Sequence, residues 1–217
     1  MLLVHACATL VISISTTAEI SPTLVDHVVD ETNAIWRPAG VTLVAERTPA
    51  PSSGRLGVVI GSRRGAALAN EAPMGWIEFS DGQPQPQLYL SFTNAVVLLE
   101  AARGPMESSL HMPVLERETY LGRALGRALA HELGHYLLAS KAHTAHGLMK
   151  ANFTAAEFFA TNTRQFLIDA SERAIVEARL DAMALVASAT SGASSPTSPR
   201  PASRPRGAAR WQGPTSH

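Results

Sequence analysis

Leucine recurs at every fourth residue from Leu121 to Leu137, and two histidines, His131 and His135, ride on the same stretch four residues apart. An α-helix satisfies both patterns at once, because residues four apart stand one turn above each other on one face. The leucines then form a continuous apolar ridge for a core, and the two imidazoles reach one point in space. The ligand-bearing stretch reads His131-Glu132-Leu133-Gly134-His135, an H-E-x-x-H motif, and His143 and His146 follow it. Four of the eight histidines fall between residues 131 and 146.

Two imidazoles from one helical turn and a third donor make a site for Zn2+ that keeps a fourth position open for water. Glu132, beside the first ligand, is the expected catalytic base: it takes a proton from the metal-bound water as that water attacks a polarised carbonyl. The single cysteine, Cys7, cannot build a Cys-rich site or an intrachain disulfide framework. Any metal is therefore held by His, Asp or Glu. The reaction expected of such a site is peptide-bond hydrolysis, with a peptide or protein substrate as partner.

The segment from His131 to Met149 resembles the metzincin clan of zinc peptidases. Those proteins carry H-E-x-x-H-x-x-G-x-x-H and then a turn containing methionine beneath the metal. Here His131, Glu132 and His135 match, and Gly147-Leu148-Met149 looks like the Met-turn. The specific resemblance covers about twenty residues; beyond it the likeness is one of fold order.

Two positions depart from the clan. Its helix-ending glycine falls on Leu138 and its third histidine on Lys141; a protonated lysine has no free lone pair to replace an imidazole. With no glycine at 138, the helix is expected to run on to about Ser140, which moves the third ligand two residues late, to His143. His146, just before Gly147, is the competitor, and a carboxylate such as Glu157 is a further alternative. Tyr120 and Tyr136 are candidates for an oxyanion-stabilising phenol, with core packing as their ordinary role.

The rest of the chain is expected to be α+β. Residues Leu10 to Ser15 suit a strand. Ser21-Pro22 opens a helix with an N-cap and a proline in the first turn, ending near Gly40. Strands are expected at 41–45, 56–60, 76–79 (an edge strand) and 87–92, the last after a Pro-rich turn, and a short helix at 96–102. The long helix spans about 115–139, and Gly122 and Gly126 mark a close backbone approach. A last helix is expected from Thr154 to Ala187, opened by a capping box with Glu157. The fold expected is thus metzincin-like: a short mixed sheet backed by the N-terminal and active-site helices, with a closing C-terminal helix.

Residues 1–187 are read as one zinc-peptidase-like domain. Residues 188–217, rich in Ser, Pro and Arg, are read as a disordered tail with too little apolar surface to offset chain entropy. Lys+Arg and Asp+Glu are 18 each, so nothing favours nucleic acid or an anionic membrane. No run approaches the roughly 20 apolar residues that span a bilayer. No Lys or Arg precedes Arg37, so the basic start of an export signal is missing and the cytoplasm is expected over secretion. The expected species is a monomer. The alternative function is a zinc-stabilised binding module without turnover, against which Glu132 argues, since a structural site needs no base. A metal-free helical module is a third, and it must treat the four clustered histidines as coincidence.

Overall fold

The computed structural model describes residues 8–17, 20–47, 55–61, 73–104 and 108–192, with side chains in the last segment as far as residue 185. The elements are β1 (Ala8–Thr16), α1 (Pro22–Trp36), β2 (Val41–Arg47), β3 (Leu56–Gly61), β4 (Gly75–Ser80), β5 (Gln83–Ser91), α2 (Phe92–Arg103), α3 (Val114–Leu138), α4 (Ala155–Phe159) and α5 (Ala170–Gly192), with short 3-10 turns at 37–39, 109–111 and 164–166. The residues before Ala8 and residues 48–54, between the second and third strands, lie outside the described residues.

The five strands form one mixed sheet in the order β2-β1-β3-β5-β4. Pairing is parallel from β2 through β5, and β4 runs antiparallel to β5 at one edge. Alternate residues of the central strands, Ile12 and Ile14, Val58 and Ile60, Leu88 and Leu90, join a core with Leu24 and Val28 of α1 and Leu125 and Leu129 of α3. The architecture is α+β, and all five ridge leucines of α3 are buried.

Local chemistry accounts for the elements. The Ser21 side chain accepts a hydrogen bond from the Leu24 amide at 3.0 Å and Pro22 occupies the first turn, so α1 starts where the N-cap pattern predicts. At the sheet's other edge, the Asn33 side chain donates to Leu43 O at 3.1 Å and accepts from Leu43 N at 2.8 Å. That closes part of the β2 margin to further pairing.

The β4–β5 connection differs from the expected Pro-rich turn. Asp81 and Gly82 both take positive φ, 49° and 75°, and form a two-residue hairpin turn whose Asp-Gly pair suits that geometry. The strand therefore begins at Gln83. Pro84 and Pro86 lie ahead of Gln87, where pairing with β3 starts, so their missing N–H groups break no ladder between those strands.

α3 crosses close to α1. A Cβ on Gly126 would stand 2.6 Å from Glu31 Cβ and 2.8 Å from Val28 O, and one on Gly122 would collide with His27. Trp36 Nε1 donates to Ala130 O at 3.1 Å, and Thr32 Oγ1 lies 3.0 Å from Gly126 O. These contacts tie the helix that carries His131 and His135 to α1.

The single helix expected from 154 to 187 is instead two. The capping box of Thr154 and Glu157 is present, but α4 lasts five residues and the chain leaves helical geometry until Ala170. The cause is Arg127, a fully buried residue of α3. Its guanidinium donates to the carbonyls of Glu157, Ala160 (2.8 Å) and Asn162 (3.0 Å), and Nε bonds Glu31 at 2.6 Å. Those bonds satisfy carbonyls that a continued helix would have used, across Thr161-Asn162-Thr163, a poor helix-forming run.

The chain divides into two units between Ala182 and Met183. In the second, the described residues 183–192 continue as helix, five residues into the expected tail; the rest of that tail lies outside the described residues. Among the described residues, no helix is long and apolar enough to cross a membrane.

Candidate metal centre

α3 ends at Leu138, two residues short of the expected Ser140. Ala139 adopts the left-handed conformation (φ 49°, ψ 39°) that glycine usually supplies at a helix end, and Ser140 N bonds back to His135 O at 3.3 Å. The chain therefore reverses without glycine, and the following segment brings His143 back to the helix.

His131, His135 and His143 come together: each offers a ring nitrogen, and all three nitrogens lie within 4.8 Å of one another. The ring centres of His143 are 5.4 Å from His131 and 4.9 Å from His135. His146, the competing ligand, is exposed and outside this group. Glu157, the carboxylate alternative, is held by Lys150 and by the Thr154 amide and hydroxyl at 2.7 and 3.0 Å. Tyr136 packs on the core beneath Arg179, and Tyr120 meets the edge of Phe159; neither lines the cavity beside the histidines.

The donor set fits a cation. His131 Nδ1 lies 2.8 Å from Leu148 O, and His135 Nδ1 lies 2.7 Å from Ser140 O. A carbonyl only accepts, so each Nδ1 carries the proton and each Nε2 presents a lone pair. The two Nε2 atoms stand 3.0 Å apart. Two lone pairs facing at that distance repel unless a positive charge lies between or beside them. Burial, with the two neighbouring imidazoles adding to it, lowers the His131 pKa to about 4 against the pull of the Leu148 carbonyl. Burial likewise lowers that of His135. Protons are therefore poor occupants at neutral pH, and the three residues could hold a metal ion.

The carbonyl that orients His131 belongs to the Gly147-Leu148-Met149 turn. Gly147 takes φ 78°, Leu148 N bonds Leu167 O at 3.0 Å, and Thr144 N bonds Met149 O at 2.9 Å. Met149 is buried against Gly134, where a Cβ would strike its sulfur. The glycine inside the motif thus makes room for the methionine behind the histidines.

A cavity of about 1010 Å³ opens beside the three imidazoles. α3 contributes Ala128, His131, Glu132 and His135 to its wall, and Gly75 to Ile77 with Phe79 bring in β4, the outermost strand. Glu132 is buried, and burial alone pushes its carboxyl up to about 8. A Cβ at Gly75 would stand 2.9 Å from Glu132 Cγ, so the bare glycine lets β4 pass over the carboxylate. Phe153 closes another side, stacked on Phe166 at 4.5 Å and edge-on to His131 at 6.1 Å.

Sequence reasoning missed Arg127, Gly75 and Phe153. Arg127 alone had a readable signal: it sits one helical turn before His131, a charge aligned with the ligands. Gly75 and Phe153 are brought to the site by tertiary packing. No protein-family model matches the chain, and no curated protein matches it.

Proposed function

We propose that this chain is a zinc-dependent peptidase in which His131, His135 and His143 hold the metal and Glu132 is the catalytic base. The observation that carries the reading is the pairing of a three-imidazole cluster with a buried carboxylate in one open cavity. A purely structural metal needs neither the carboxylate nor the cavity. Three neutral nitrogen donors with an open side suit zinc.

Zinc bound this way supplies Lewis acidity toward a carbonyl oxygen and lowers the pKa of water to about 7. The chain's residues do the rest. Glu132 takes the proton of the attacking water and returns it to the departing amide nitrogen. Its apolar surroundings strengthen it as a base, while a cation on the neighbouring imidazoles draws its pKa back toward neutrality. β4 is an edge strand among the described strands, the position at which an extended peptide would add to the sheet. The resemblance to metzincins supports the same reading through the helix-borne histidine pair, a third histidine after a chain reversal, and a methionine behind them.

The test is Glu132→Gln. The variant is expected to keep one zinc per chain and to lose peptide hydrolysis about 10²- to 10⁴-fold, the usual range for removing a positioned base. Hydrolysis at the wild-type rate would refute the role of Glu132. Zinc bound by a wild-type chain that cleaves no peptide would refute the peptidase.

A further inference from the structure

Charge is unevenly placed around the cavity. Among the described residues its wall carries two basic side chains, Arg127 and Lys141, and one carboxylate, Glu132. Arg127 is paired with Glu31 and donates to three backbone carbonyls. Lys150, which lies over Phe153, is paired with Glu157. Lys141 is different. It is exposed, and among the described residues it pairs with no carboxylate. Its ammonium rests 4.9 Å from the centre of the Phe79 ring on β4, a weak contact at an exposed site that a carboxylate can displace.

The Lys141–Phe79 contact joins the segment after α3 to the outer strand, the two walls between which an extended peptide would lie. Lys141 is two residues from His143, so their Cα atoms are at most about 7 Å apart. An extended peptide advances roughly 3.3 Å per residue. The ammonium is therefore in reach of side chains within about two positions of the bond beside the histidines.

We infer that Lys141 makes the site selective for peptides with an aspartate or glutamate flanking the scissile bond; the inference rests on the peptidase reading above. It explains what the lysine does at a position where a histidine ligand would have stood in the resembling clan. The chain keeps a cation there that can meet substrate and takes its third imidazole from His143.

The experiment uses the full-length zinc-loaded chain and quenched-fluorescent peptides matched except for Glu, Gln or Lys at the positions flanking the cleaved bond. The expected kcat/KM ratio of the Glu to the Lys peptide is about fivefold, the upper range for one exposed ion pair. The ratio should fall to about one in Lys141→Gln, invert in Lys141→Glu, and shrink with added salt. Anisotropy with the same peptides on Glu132→Gln, with and without Lys141→Glu, reads the preference without turnover. A wild-type ratio near one, or a preference that survives Lys141→Glu, overturns the inference. If no peptide is cleaved, the peptidase reading fails and the anisotropy arm still decides Lys141; if none binds either, both fall.

Discussion

Ser140 accepts a hydrogen bond from the ring of His135 at 2.7 Å, through the first carbonyl after the left-handed residue that ends α3. The device that stops the helix is thus the device that orients the His135 ring. Ala139 performs it with a Cβ that the left-handed region disfavours by roughly 1–2 kcal/mol.

Ala139→Gly is therefore expected to stabilise the protein by about 0.5–1 kcal/mol, the relief of strain less the added freedom of the unfolded chain. Leu138→Gly, at the position of the clan's glycine, should destabilise it by about 1 kcal/mol or more, because Leu138 is helical and packs on the core. Urea denaturation of both variants measures the pair. A loss of stability in Ala139→Gly would mean that the turn depends on the alanine methyl.

His143→Ala should weaken zinc binding by at least about tenfold, since even the outer partners of a zinc ligand are worth that much. His146→Ala should leave it unchanged. Metal content after dialysis against a competing chelator separates them. Weakening in His146→Ala alone would move the third ligand to the turn.

Stability of the metal-free chain should decline as pH rises above 6.5. Between 4.5 and 6.5 the contributions of His131 and Glu132 oppose each other, and above that range only Glu132 of the two still titrates. The folded chain resists a proton on His131 down to about 4, whereas an ordinary histidine takes it near 6.5. This effect alone lowers stability as pH falls between those values. Glu132 works oppositely: folded, it keeps its proton up to about 8, whereas an ordinary glutamate gives it up near 4.5. Its effect lowers stability as pH rises through that window. Melting temperatures of chelated protein should fall on the alkaline side in wild type and much less in Glu132→Gln. Equal alkaline losses would show that the carboxyl is not the cause.

Arg127→Met should cost about 3–5 kcal/mol, because Glu31 and three carbonyls lose a buried cation. Proteolysis should then concentrate between residues 157 and 163. A variant as stable as wild type would mean that the 157–163 path is set by other contacts.

α3 was legible because leucine spacing, histidine spacing and helix period agree from Leu121 to Leu137. The α+β order and the edge position of β4 followed from strand patterns and turn residues. The errors share one physical origin: the deciding contact was remote or overruled a louder local cue. Pro84 and Pro86 masked the Asp81-Gly82 hairpin signal. The break after α4 depends on Arg127, some thirty residues earlier in the chain. Leu138 suggested a longer helix, because nothing local announces that alanine will take a left-handed conformation. His143 still reached the cluster, since the reversal came early enough to bring it back.

The clamp of Asn33 on Leu43 bears on crowding. Among the described strands the sheet has two margins, β2 and β4, and the amide side chain occupies backbone groups on only the first. Two molecules meeting margin to margin through β4 would present outward the β2 edges on which Asn33 holds Leu43. The clamp thus makes the two margins unequal: an added strand would find Leu43 already taken on β2, which disfavours the edge-to-edge growth that turns a pair into a fibre.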